Sequence, residues 1–125
     1  AIYKKISGVN SENKEDEMVD ELLDRFGDVP KETMNLIRIS RVQALCQEVS
    51  VLRIYAQNNR IFFSFGEKNC LTPFAIVNIN DKFKVRAFIH GGKEPYIRIP
   101  QVKGLILKDC LELLNIIKEN MKDAI

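Results

Sequence analysis

The sequence predicts an α+β domain of element order ααββαββα: an N-terminal helical hairpin, an antiparallel sheet of two β-hairpins with an intervening short helix, and a C-terminal helix. Three observations predict it. Apolar residues recur at helical spacing up to Val49, the pattern changes to alternation at Leu52, and helical spacing returns from Leu107 to Met121. With 125 residues, 46% of them hydrophobic, the chain can bury about 65–70% of the surface its unfolded form exposes. Residues 1–125 are therefore expected to form a single domain.

The first predicted helix runs from about Glu12 to Phe26, with Met18, Leu22 and Phe26 as its core stripe and Val19 and Leu23 beside them. Ser11 is placed to cap it, and Glu12, Glu15, Asp16 and Glu17 complement the dipole of its first turns. Gly27 ends it, since that position favours a residue tolerant of positive φ. Asp28-Val29-Pro30 opens a second helix reaching about Glu48, because a proline at the first helical position forfeits no hydrogen bond. Met34, Ile37, Leu45 and Val49, with Leu36 and Ala44, are expected to face the core, while Arg38 and Arg41 share an edge. The short connection makes the pair an antiparallel hairpin.

Leu52, Ile54 and Ala56 then alternate with Arg53 and Tyr55, and Arg60 to Phe65 is rich in strand formers. Gln57-Asn58-Asn59 supplies turn residues between them, so a β-hairpin is expected. Thr72-Pro73 reads as the cap and first residue of a short helix to about Ile79. A second hairpin is expected from Lys82–Ile89 and Tyr96–Ile99 around Gly91-Gly92-Lys93-Glu94-Pro95. Leu107, Leu111, Leu114, Ile117 and Met121 mark the closing helix.

No apolar run is long enough to cross a bilayer, and Ala1-Ile2-Tyr3-Lys4-Lys5-Ile6 has no signal-peptide core, so a cytoplasmic protein without membrane contact is expected. The chain lacks an initiator Met, and Ile2 and Ile6 stand four apart as on a helix face. Both suggest a fragment excised from a longer polypeptide. The net charge of +2 conceals an asymmetry: Asn10–Thr33 carries nine acidic and three basic side chains, whereas Arg53–Lys108 carries ten basic and three acidic ones. Such polarity steers charged partners rather than setting the fold.

The sequence offers no catalytic constellation. Cys46, Cys70 and Cys110 lack C-x-x-C spacing and read as reduced, partly buried thiols. His90, the only histidine, has no local nucleophile or orienting partner. Gly91-Gly92-Lys93 is a fragment of a phosphate-binding loop without its helix. The Asp16/Asp20 and Asp20/Asp24 pairs lie on a heavily charged face, where neither acid is expected to acquire the raised pKa of a general acid. No metal or cofactor is therefore expected. Nucleic-acid binding has more support: in an extended segment Lys82, Lys84 and Arg86 alternate with Phe83, Val85 and Ala87 and share one sheet face, which Arg60 and Phe62 can join.

Glu21-Leu22-Leu23-Asp24-Arg25-Phe26-Gly27-Asp28-Val29-Pro30 resembles the E-L-I-D-R-F-G-x-L-P signature of the C-terminal domain of bacterial transcription-repair coupling factors. Tyr3-Lys4-Lys5-Ile6 is similar to the Y-[KR]-R-I preceding it, and Asn35–Arg41 and Phe65–Asn69 match further. The likeness is strong in the first third and fades after Lys82. Ser50 stands where the family tends to have a helix-terminating glycine, and Lys14 where a capping acid is common.

This resemblance implies a non-catalytic regulatory domain at the C-terminal end of a larger protein. The parent of that family resembles a superfamily 2 ATPase, dependent on ATP and magnesium. It translocates on double-stranded DNA, displaces stalled RNA polymerase and recruits UvrA for nucleotide excision repair. Its C-terminal domain packs on a UvrB-like N-terminal module, hides the UvrA-binding surface there and so autoinhibits the motor. The acids matching Glu21 and Asp24 are implicated in that interdomain contact. Local physics singles out the same pair, because carboxylates near a helix C-terminus meet the negative end of its dipole. Arg25 is positioned to pair with Glu21 at i+4, whereas Asp24 lacks an equally good intrahelical cation. The alternative reading is a nucleic-acid-binding module using Lys82, Lys84 and Arg86.

Overall fold

A computed structural model describes residues 2–66, 69–84 and 88–121. They fall into two compact units, Ala1–Leu45 and Cys46–Ile125.

The first unit holds α1 (Ile2–Ser7), α2 (Glu12–Phe26) and most of α3 (Lys31–Glu48). Helix α1 adds an element to the sequence expectation, on the spacing already noted for Ile2 and Ile6. Ser11 Oγ accepts from the Lys14 N–H at 3.1 Å and starts α2. Gly27, at φ 73°, ends it by donating its N–H to the Leu23 carbonyl. Pro30 sits one residue before α3, and its carbonyl accepts from the Met34 N–H at 3.0 Å. The core joins Ile6 and Val9 to Met18, Leu22 and Ile37, with Val19, Val29 and Met34 packed against it.

Phe26 does not belong to that core. It is 61% exposed, Leu23 is 45% exposed and Leu36 41%. At 3.6 residues per turn, each i, i+4 step drifts about 40° around the helix. Two steps therefore carry Phe26 about 80° away from Met18, off the buried stripe.

The second unit contains β1 (Val51–Gln57), β2 (Arg60–Phe65), α4 (Pro73–Phe83), β3 (Phe88–His90), β4 (Tyr96–Pro100) and α5 (Ile106–Glu119). The sheet has the order β1-β2-β4-β3, every pair antiparallel. Asn58 and Asn59, at φ 53° and 61°, make the turn between β1 and β2. The β1–β2 register slips between Val51 and Arg53, which leaves Leu52 71% exposed. Ala56 is also exposed and Ile54 half-buried, so the expected inward row Leu52, Ile54, Ala56 fails on this bulged edge strand.

The inner face of the sheet presents Ile61, Phe63 and Phe65 from β2 and Ile97 and Ile99 from β4, all buried. Ala75, Ile79 and Phe83 of α4, and Cys110, Leu113, Leu114 and Ile117 of α5, complete this unit's core. Thr72 caps α4 by accepting from the Ala75 N–H at 3.1 Å. Its hydroxyl also donates to the Asn120 carbonyl at 3.3 Å, tying the start of α4 to the end of α5. The Asn120 amide donates to the Ile116 carbonyl at 2.7 Å and accepts from Asn78 Nδ2 at 3.0 Å.

The strand expected over Lys82–Ile89 is corrected. Ala75, Ile79 and Phe83 continue one buried helical row, so α4 runs through Phe83 and only Phe88–His90 pairs with β4. Lys82 lies in the last turn of α4, and Lys84, at φ 53°, is its C-cap. Arg86 lies outside the described residues. Lys82 and Lys84 therefore do not stand on a sheet face, and the alternating basic strand built on these residues is withdrawn.

Candidate functional site

The last turns of α2 gather the acids singled out from the sequence. Glu21 Oε1 accepts from Lys5 Nζ at 2.9 Å and lies 3.9 Å from an Arg25 guanidinium nitrogen. Its closer partner thus comes from α1 rather than from i+4. The Lys5 hydrogen bond, helped by the charges of Lys5 and Arg25 and opposed by desolvation, holds the Glu21 carboxyl below its usual value of 4.5.

Asp24 is exposed and has no ion pair among the described residues. Exposed Leu23 and Phe26 lie on either side of it in sequence, and the Arg25 guanidinium stands 5.9 Å from the Phe26 ring centroid. Leu23 and Phe26, three apart, lie side by side on the helix, whereas Asp24, two residues before Phe26, stands roughly 160° around the axis from the ring. The exposed end of α2 thus offers a carboxylate to a cationic partner on one side and apolar surface on another. Arg41 is committed within the hairpin: it reaches Glu15 at 3.4 Å with both side chains largely buried. Arg38 is exposed. A hollow of about 180 Å³ borders Glu21, lined by Lys5, Val9, Lys14 and Met18 among others. That is smaller than the roughly 300–1,000 Å³ of small-molecule sites, so the geometry suits contact with another surface better than an enclosed ligand.

In the second unit, the outer face of the sheet assembles a feature the sequence reading only touched. Tyr55 lies opposite Phe62, and Tyr96 opposite His90. The rings of Tyr55 and Phe62 stack at 5.0 Å and 3° between planes, Phe62 meets Tyr96 at 5.6 Å, and His90 stacks on Tyr96 at 4.8 Å. The Arg53 guanidinium lies 4.4 Å from the Tyr55 ring centroid. Arg60 and Arg98 occupy the same face by register. Arg60 and Phe62 were identified from sequence. Tyr55, Tyr96 and His90 were missed, though aromatic and basic residues at i, i+2 spacing within these strands signal such a face.

Burial lifts the Cys46 thiol to about 11 and the Cys110 thiol to about 12. Both stay protonated near neutrality, and a protonated thiol is a poor nucleophile. Among the described residues, no three His, Cys, Asp or Glu side chains gather to hold a metal ion, and no helix is long and apolar enough to cross a membrane.

The TRCF domain model matches residues 1–76. The chain belongs to the TRCF domain family. The transcription-repair-coupling factor of Haemophilus influenzae is 33% identical over 82 residues, covering 66% of this chain and 7% of that protein. Its counterpart in Escherichia coli is 28% identical over the same length. That of Rickettsia bellii is 28% identical over 122 residues, covering 98% of this chain. The chain spans only 7–10% of the length of these relatives. A crystal structure of the C-terminal domain of a transcription-repair coupling factor superposes with a TM-score of 0.85 at 23% identity, covering 98% of this chain and 80% of that one. The TRCF fold thus extends past residue 76, where the family model's match ends.

Proposed function

We propose that this chain is the non-catalytic, autoinhibitory C-terminal domain of a transcription-repair coupling factor working in the bacterial cytoplasm. It docks on a UvrB-like N-terminal module of the same polypeptide and masks the UvrA-binding surface there. The parent, on this reading, is an ATP-dependent double-stranded DNA translocase that binds RNA polymerase and recruits UvrA for transcription-coupled repair. ATP and magnesium belong to the parent's motor, not to this domain.

The observation that carries the reading is the end of α2, where Asp24 is exposed and without an ion pair among the described residues, with exposed Leu23 and Phe26 on either side of it in sequence. A carboxylate there is disfavoured by the helix dipole, and a facing arginine offsets that cost by charge-assisted hydrogen bonds. Glu21 contributes as the anchor of α1 through Lys5.

Calorimetric titration of this chain into the UvrB-like module tests the proposal. Wild type should bind, and Glu21→Ala/Asp24→Ala should weaken binding about tenfold or more while the melting temperature shifts by no more than a few degrees. In the full-length parent, the same pair should raise UvrA binding in the absence of polymerase. Unchanged docking by the double variant, or ATP hydrolysis by the purified chain, refutes the reading.

A further inference from the structure

We propose that the outer face of the four-stranded sheet binds single-stranded nucleic acid, its ring ladder taking bases and Arg53 and Arg60 taking phosphates. The site lies in the second unit and shares no residue with the α2 patch, so either proposal can fail alone.

The ladder crosses the whole sheet: Tyr55 on β1, Phe62 on β2, Tyr96 on β4 and His90 on β3. Stacked planes touch at about 3.5 Å, yet the Tyr55 and Phe62 centroids are 5.0 Å apart at 3° and those of His90 and Tyr96 4.8 Å apart at 19°. The rings therefore overlap only partly, as offset stacks do. Tyr55, Phe62 and Tyr96 are half-buried, and His90, on the edge strand, is exposed. A row of aromatic rings departs from the usual outer sheet face, where polar residues alternate with the buried ones.

Charge selects among occupants. The strand positions on this face hold arginines at 53, 60 and 98 and no Asp or Glu. Arg53 and Arg60 are both exposed. Glu94 shares a shallow hollow with Arg53, Ser64 and Lys93 at the end of β2. An anionic partner is therefore favoured, and one with planar rings matches the ladder as well as the charge. An acidic peptide supplies carboxylates without a series of π-faces. Duplex DNA supplies phosphates but keeps its bases stacked inward, whereas a single strand offers both.

Fluorescence anisotropy of this chain with labelled oligothymidylate of about fifteen nucleotides, within the span such faces cover, tests the proposal over a salt series. Micromolar binding is expected, falling steeply with salt and weaker for a duplex of equal length. Arg53→Ala/Arg60→Ala should reduce the logarithmic salt slope by about 1.4, at about 0.7 for each phosphate contact with a single strand. Phe62→Leu should weaken binding about tenfold with the slope preserved. Because Phe62 is half-buried, His90→Ala at the exposed edge serves as a second ring variant, with several-fold loss expected and no change in melting temperature. The proposal is overturned by an absence of binding at low salt, by equal affinity for duplex and single strand, or by a loss that follows Lys82→Ala/Lys84→Ala and not the arginine pair.

Discussion

Replacing Phe26 by alanine removes a ring that is 61% exposed, whereas Leu22→Ala, one turn earlier on α2, removes a side chain that is 4% exposed. Full burial of a phenylalanine is worth about 1.5–3 kcal/mol, so the two-fifths of Phe26 that is covered accounts for about 1 kcal/mol. The exposed Arg25 contact adds about 0.5 kcal/mol. Leu22→Ala opens a cavity in the α1–α2–α3 core and should cost about 2–5 kcal/mol. Urea unfolding followed by circular dichroism separates them at any one slope: with about 1–1.5 kcal/mol per molar, Phe26→Ala should lower the midpoint by about 1–1.5 M and Leu22→Ala by about 1.3–5 M. Docking on the UvrB-like module should order the two the other way. A folded Phe26→Ala variant should lose about tenfold in affinity, as truncation of an aromatic anchor does. Equal midpoint shifts for the two variants would place Phe26 back in the core in solution and remove the apolar half of the proposed interface. Unchanged docking by Phe26→Ala would do so as well.

Asn120→Ala, which deletes the amide bonds to the Ile116 carbonyl and Asn78, should destabilise the chain by about 1–2 kcal/mol in the same assay. Asn120→Asp should be worse by about 1 kcal/mol, since a carboxylate oxygen would then face a carbonyl at the negative end of α5; a variant as stable as Asn120→Ala contradicts the network. Ser50 holds φ 60° at the end of α3, a conformation costing a non-glycine residue about 1–2 kcal/mol. After subtracting glycine's added unfolded entropy of about 0.5–1 kcal/mol, Ser50→Gly should stabilise by about 0.5–1 kcal/mol, and a lowered midpoint refutes the strain argument. Glu21 has a folded pKa below its ordinary 4.5, so the Lys5 pair contributes fully above that value and loses its contribution as pH falls through the folded pKa. Lys5→Met should flatten the acid limb of the melting-temperature profile, and an unchanged limb argues against the pair in solution.

What was legible in the sequence was local. Ser11 and Thr72 cap helices because a hydroxyl before an apolar-periodic run has a nearby N–H to accept. Gly27 and Asn58-Asn59 adopt positive φ where the chain must turn. The second hairpin forms, but its first strand begins only at Phe88, for a physical reason. Lys82–Ile89 alternates charged and apolar residues as a strand would, yet Phe83 also completes the Ala75, Ile79 row of a helix already begun. Propagating a helix by a further turn adds hydrogen bonds to an existing nucleus, and a core-facing aromatic fits either period. Tertiary burial of Phe83, at 2% exposure, decided between them.

Charge counts along the chain show why the two candidate surfaces differed in legibility. The acidic segment Asn10–Thr33 is largely one helix, so its charges stay together in space, and Asp24 is recognisable from its position against the dipole alone. Glu21 is only half as legible, because Lys5 comes from a helix whose packing no local spacing fixes. The basic segment Arg53–Lys108 is instead divided among strands, a helix end and loops. Its charge total therefore says little about any one face: Lys82 and Lys84 leave the sheet, whereas Arg53, Arg60 and Arg98 converge on it. That convergence depends on Phe62 lying opposite Arg98 and Ser64 opposite Tyr96, pairings between strands separated by an entire helix. Strand alternation names the face each residue takes, but only register brings an arginine or a ring beside its neighbour. A surface made of one continuous helix can thus be read from sequence, and a surface made of four strands becomes visible only when the sheet closes.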